Sequence, residues 1–116
     1  MISKELLKGS LKSIVLTLLS ENDRMYGYEL TQKVKEISGG KISLTFGALY
    51  PVLHKLESEG AVITEKETVN NRVRVYYKLT ETGCSTAREK IKELEEFIET
   101  LKGIITSNPS PGLCMC

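Results

Sequence analysis

Between residues 87 and 105 apolar side chains recur at spacings of four, three, four, three and four: Ala87, Ile91, Leu94, Ile98, Leu101 and Ile105. This a/d seam constrains the fold more than any other feature of the chain. It exists only on a helix, and a helix that carries it has to lie along another helix. The sequence predicts that helix from about Glu81 to Thr106, where Asn108-Pro-Ser-Pro-Gly ends it. With 116 residues there is room for one domain and this appendage. A second copy of the chain is therefore the expected partner, held by Ala87, Ile91, Leu94, Ile98, Leu101 and Ile105.

The rest of the chain reads as three helices and a hairpin. Leu7, Leu11, Ile14, Val15 and Leu18 share one face of a first helix that starts at Ser3 or Ser10 and ends near Ser20. After the polar break Glu21-Asn22-Asp23-Arg24, a second helix runs from about Gly27 to Ile37, with Leu30, Val34 and Ile37 as its apolar positions and Gly39-Gly40 behind it. The third begins near Thr45, an apt N-cap, and runs to Gly60 with Leu49, Val52, Leu53 and Leu56 on one face. Pro51 lies inside it, and Gly47, four residues back, eases the clash. Two alternating runs follow, Ala61–Thr68 and Arg72–Thr80, around a turn at Asn70-Asn71. In the second run Val73, Val75, Tyr77 and Leu79 face one side, and Arg72, Arg74, Tyr76 and Lys78 the other.

Composition excludes several functions. There is one His and no Trp, and no nucleophile–base set or ligand cluster accompanies that His, so neither an enzyme, a metal nor a cofactor is expected. His54 reads as a helix-surface or phosphate-facing imidazole. Three Cys (Cys84, Cys114, Cys116) form an odd set, two of them in a terminal tail, which fits a reducing compartment. Two thiolates do not complete a zinc site. With no signal core and no span, the expected location is cytoplasmic, with no membrane partner. The net charge is only +1, but the middle of the chain is mildly basic and the last helix acidic.

Three helices, a hairpin and a long helix are the element order of a winged helix-turn-helix. That is an α+β, mostly helical fold whose third helix can enter the major groove of double-stranded DNA while the hairpin wing follows the backbone. The residues also resemble a known family. Tyr26-Gly-Tyr-Glu-Leu30, the run Gly47-Ala-Leu-Tyr-Pro-Val-Leu-His-Lys-Leu-Glu-Ser-Glu-Gly60 and Arg72-Val-Arg-Val-Tyr-Tyr-Lys-Leu-Thr-Glu-Thr-Gly83 are similar to the signatures of PadR bacterial transcriptional regulators. The resemblance implies a homodimeric repressor on a pseudo-palindromic operator, of the small kind with a single C-terminal dimerisation helix. The expected division is a DNA-binding domain over 1–80, a dimerisation helix over 81–106 and a flexible tail over 107–116. The wing departs from the pattern. Where the family often has Gly-Arg-Pro-Arg, this chain has Asn71-Arg72-Val73-Arg74, without the turn Gly or the Pro.

The expected DNA contacts are Tyr26, Thr45, Gly47, Ala48, Tyr50, Pro51, His54, Lys55, Ser58, Asn71, Arg72, Arg74 and Tyr76. Gly47 and Ala48 let the helix backbone approach the groove, while Tyr50, His54, Lys55 and Ser58 supply donors. Against this, small residues also ease helix packing and the remainder would serve as a solvated face. Tyr26 and Tyr28 fit either a phosphate contact or packing under the wing. The third helix offers no outward Arg, Asn or Gln, so base readout is expected to be sparse. On the wing, Glu65 and Glu67 balance the cationic strand face in the alternative reading; Lys78, at the base, is expected to be structural. A small-molecule effector is possible but unidentified, and Phe97, the only aromatic residue of the last helix, furnishes a stacking pocket poorly. The competing function is a winged helix used for protein–protein contact without DNA.

Overall fold

In the computed structural model, which describes residues 2–106, the elements follow in the order α1 (Lys4–Lys8), α2 (Leu11–Glu21), β1 (Met25–Tyr26), α3 (Gly27–Ile37), α4 (Phe46–Ser58), β2 (Val62–Val69), β3 (Arg72–Leu79) and α5 (Glu81–Thr106). The tail with Cys114 and Cys116 lies outside the described residues. The first helix is two helices. Ser3 caps α1 by accepting from the Leu6 amide, the amide of Ser10 turns back to the Leu7 carbonyl, and α2 starts afresh. Both candidate starts are therefore used.

Leu16, Leu30, Leu49, Leu53, Leu56, Val15 and Val62 are the largest fully buried side chains among the described residues, so the core lies where α2, α3, α4 and the base of the hairpin meet. Leu49, Leu53 and Leu56 hold α4 by one face only, which leaves its opposite face to solvent. Thr45 caps it, accepting from the Ala48 amide at 3.2 Å, and the helix runs unbroken through Pro51. It stops two residues before the expected Gly60, which adopts φ +77° while Ala61 donates to the Leu56 carbonyl at 2.9 Å. Lys12 on α2 pairs with Glu59 at 2.8 Å and pins that end. The Lys12 hydrogen bond holds the Glu59 carboxyl below its ordinary range. Ile37, placed on the apolar face by its spacing, is exposed, because α3 ends where the core does.

The sheet order is β1-β3-β2, all antiparallel. Asn70 and Asn71 both take positive φ, 52° and 64°, between the paired residues Val69 and Arg72. This is the two-residue turn that suits strand twist, here made by asparagine instead of glycine. β1, two residues long, is absent from the sequence reading; it pairs Met25 with Tyr77 and Tyr26 with Tyr76.

Helix α5 divides in the middle. Ala87 is buried against the core and Ile91 packs on it, whereas Phe97, Ile98, Leu101 and Ile105 are exposed. The seam is thus used within the subunit at its start and is uncovered towards its end. Ile91 and Leu94 are half-buried in the single chain. The uncovered half extends away from the body: the radius of gyration is 17.1 Å, against about 13 Å for a compact chain of this size. Among the described residues no helix is long and apolar enough to cross a membrane.

Candidate nucleic-acid interface

Three pieces of the fold meet on one side: the outer face of α4, the first turn of α3, and the wing formed by β2 and β3. Between them lies a cleft of about 860 Å³, with Tyr28, Phe46 and Tyr50 on one wall and Arg72, Val73 and Arg74 on the other.

The outer face of α4 presents Thr45, Gly47, Ala48, Tyr50, Pro51, His54, Lys55 and Ser58, all exposed. An aromatic row runs down its wing side, with Phe46 5.6 Å from Tyr50 and Tyr50 6.1 Å from His54, centre to centre. Gly47, Ala48 and Pro51 instead border a second groove, whose far side is α1 with Lys4 and Lys8. The small residues are exposed along this groove, and lysines flank them. Tyr50 leans onto the start of α3, with its hydroxyl over Gly27. A Cβ at position 27 would stand 2.7 Å from that oxygen.

Tyr26 ends β1 and precedes α3, where its amide donates to the Glu29 carboxylate at 3.1 Å. Its ring stacks with Tyr28 at 6.5 Å and meets Tyr76 edge-on at 5.5 Å. Of the two uses considered for the tyrosines, Tyr26 is half-buried under the wing, whereas Tyr28 is exposed at the cleft.

On the wing, Asn71 and Arg72 stand exposed at the tip. Arg74 and Tyr76 are half-buried. The Arg74 guanidinium lies 4.1 Å over the Tyr26 ring and donates to the Tyr76 hydroxyl at 3.4 Å, a bond that raises its already high pKa. Tyr76 is covered on its other side by Arg24, at 3.9 Å. Lys78 pairs with Asp23 at 3.5 Å, in keeping with a structural role. The acidic balance expected from Glu65 and Glu67 is present, but its cation is Arg24, which donates to both carboxylates.

Arg24 and Phe46 are the side chains here that sequence reasoning missed. Arg24 sits in a polar break and meets Glu65 and Glu67 only through the unforeseen β1. Phe46 is three residues before Leu49, a spacing that continues the buried stripe. Thr45 as N-cap puts Phe46 in the first turn, but nothing in the sequence marks that turn as exposed. The six seam residues of α5 lie away from this cleft, among them Ala87, Ile91 and Leu94 beside the core.

The arrangement offers a convex helix with small residues, a rim of hydroxyls and imidazole, and cations to either side. This is suited to a grooved polyanion, and none of it assembles a nucleophile with a base. Among the described residues no group of three or more His, Cys, Asp or Glu is placed to hold a metal ion.

Comparison with known proteins agrees on the class. A family model described as the transcriptional regulator PadR-like family matches residues 15–89. The transcriptional regulator Rv3488 of Mycobacterium tuberculosis is 30% identical over 100 residues, covering 86% of this chain and 90% of its own. A PadR family transcriptional regulator from Eggerthella lenta superposes with a TM-score of 0.76 at 27% identity, over 90% of this chain and 88% of that one. A transcriptional regulator from Clostridium thermocellum reaches a TM-score of 0.81 over 91% of this chain and 100% of that one; at 24% identity this is a likeness of fold.

Proposed function

The chain belongs to the PadR-like family of transcriptional regulators, and on that premise we propose that it is a homodimeric repressor that grips a pseudo-palindromic DNA operator with α4 in the major groove and the wing along the backbone. It is a regulator and not an enzyme. The observation that carries the reading is the one-sided anchoring of α4. Leu49, Leu53 and Leu56 are fully buried while Gly47, Ala48, Pro51, His54, Lys55 and Ser58 are all exposed. A helix held in this way is presented to a partner, with Arg72 and Arg74 on one flank and Lys4 and Lys8 on the other.

Within that reading residues up to 80 form the DNA-binding unit, and α5 joins two copies through Ile98, Leu101 and Ile105. Thr45, Tyr50, His54, Lys55 and Ser58 line the groove-facing surface. Asn71 and Arg72 reach phosphates from the wing tip. Arg74 faces the phosphates from the cleft wall beside Arg72, held against Tyr26 and Tyr76. With no outward Arg, Asn or Gln on α4, discrimination leans on phosphate geometry and DNA shape.

The test is selection from a random duplex pool, followed by titration at several salt concentrations. Expected is an inverted repeat with half-sites one helical turn apart, roughly 34–36 Å, and an affinity that falls steeply with salt. Ala48→Glu, which adds bulk and negative charge to the exposed turn, should abolish binding and leave the melting temperature nearly unchanged. Operator affinity retained by the folded variant would exclude α4 as the reading element. A wild-type protein without salt-dependent DNA affinity would favour the protein–protein alternative.

A further inference from the structure

Glu67 stands directly opposite Arg74 in the β2–β3 ladder, and Glu65 opposite Tyr76. Opposite charges facing one another across an antiparallel pair ordinarily pair together. Here they do not. The Glu67 carboxylate accepts from Arg24, whose other nitrogen donates to Glu65 at 3.1 Å. Arg74 turns instead to the Tyr26 ring and the Tyr76 hydroxyl, on the wall of the cleft beside Arg72. Arg24 immediately precedes β1, whose pairing with β3 fixes its backbone, and its guanidinium rests on the Tyr76 ring. One planar fork thus serves two carboxylates, a geometry that suits arginine and not lysine. The hydrogen bond to Glu67 raises its already high pKa further.

We propose that Arg24 is a positioning residue of the wing: by engaging Glu65 and Glu67 it keeps Arg74 clear of its cross-strand carboxylate and available to a DNA phosphate. The proposal rests on the DNA-binding reading above. Removing Arg24 has two effects of the same sign. Two carboxylates lose their counter-charge near the DNA, and Arg74 becomes the nearest cation to Glu67.

The experiment compares wild type, Arg24→Ala, Glu67→Gln and the Arg24→Ala/Glu67→Gln double variant on a random-sequence duplex across a salt series, with thermal unfolding of each. Arg24→Ala should bind on the order of tenfold more weakly, with a salt slope lower by about one phosphate contact. The double variant should recover that slope and most of the affinity, and Glu67→Gln alone should bind at least as well as wild type. If the double variant is folded and binds as poorly as Arg24→Ala, Arg24 acts by touching DNA or by holding the wing in shape, and the proposal falls. If Arg24→Ala does not fold, Arg24→Gln, which keeps the stem over Tyr76, replaces it in the same comparison. Wild-type binding without salt dependence on any duplex overturns the DNA reading and this proposal together. Salt-dependent wild-type binding that Arg24→Ala leaves unchanged overturns this proposal alone.

Discussion

The hydroxyl of Tyr50 rests over the α-carbon of Gly27, so the helix that faces the cleft and the helix behind it touch through a ring tip and a missing side chain. A Cβ there would lie 2.7 Å from the oxygen and 3.2 Å from the ring carbon that bears it. The obstacle is the mobile end of a side chain, so Gly27→Ala should displace Tyr50 and leave the backbone in place. Alanine also favours the helix by up to about 1 kcal/mol. The variant should melt at or slightly above the wild-type temperature while its DNA affinity drops several-fold. A wild-type affinity would show that the Tyr50 position is immaterial to binding.

Gly83 presents the opposite case. Its missing Cβ faces backbone: a methyl group would fall inside the Ala61 carbonyl, 2.8 Å from the carbonyl carbon. The surroundings cannot yield, because Thr80 locks the corner. Its amide donates to Ala61, its hydroxyl donates to the Gly60 carbonyl at 2.5 Å, and that same hydroxyl accepts from the Gly83 amide at 3.0 Å. Gly83→Ala should therefore destabilise the protein by about 2–4 kcal/mol, among the larger single-site effects. Urea unfolding measures it, and a loss below about 0.5 kcal/mol, the range of ordinary surface changes, would mean that α5 can shift away from the hairpin.

These two glycines also mark how far the sequence could be read. Periodicity located α3 and α4, each of which buries one face, and also both long strands and α5, where the pattern outruns the burial: Val62 alone is buried in β2, Tyr77 alone in β3, and α5 buries only its start. Asn70-Asn71 marked the turn, because few residues accept two successive positive φ angles. What escaped was whatever depends on one element meeting another. Two residues are too few for β1 to show a period, and without it neither Arg24 nor the half-burial of Tyr26 is visible. Spacing also cannot say where a core ends. Ile37 and Phe46 both sit at stripe positions and both are exposed, and the seam of α5 does not disclose that its first half is spent on its own subunit. The site residues on α4 were legible only as the complement of Leu49, Leu53 and Leu56.

Tyr77 gives a pH dependence with a defined sign. It is buried in β3, and burial pushes its phenol above the ordinary value. The folded-state pKa is raised, so on alkalinisation the unfolded chain loses this proton first. Stability from this group is complete below about pH 10 and declines as pH rises towards and through the folded-state value. Tyr77→Phe should remove that component. In denaturant titrations between about pH 9 and 11, wild type should lose more stability than the variant. Parallel slopes would mean that the phenol ionises as freely in the folded protein as in the unfolded one.

The last prediction concerns the uncovered end of α5. Ile98 is 46% exposed, Leu101 39% and Ile105 68%, on a helix that has left the body of its own subunit. Each is worth roughly 1.5–3 kcal/mol if fully buried, and a second copy buries the same side chains twice, which is why symmetric pairing is the expected cover. Ile98→Glu with Leu101→Glu should give a soluble monomer by light scattering whose winged-helix part still unfolds cooperatively. Ile91→Glu should behave differently, since Ile91 packs on its own core. It should lower the stability of the fold before it affects association. The contrast between the two variants matters more than either alone. If Ile98→Glu/Leu101→Glu remains an unchanged dimer, the copies meet elsewhere and the exposed half of α5 has another partner. If it is monomeric, operator affinity should collapse towards that for random DNA, because each subunit offers one short helix and only the pair can add two half-sites.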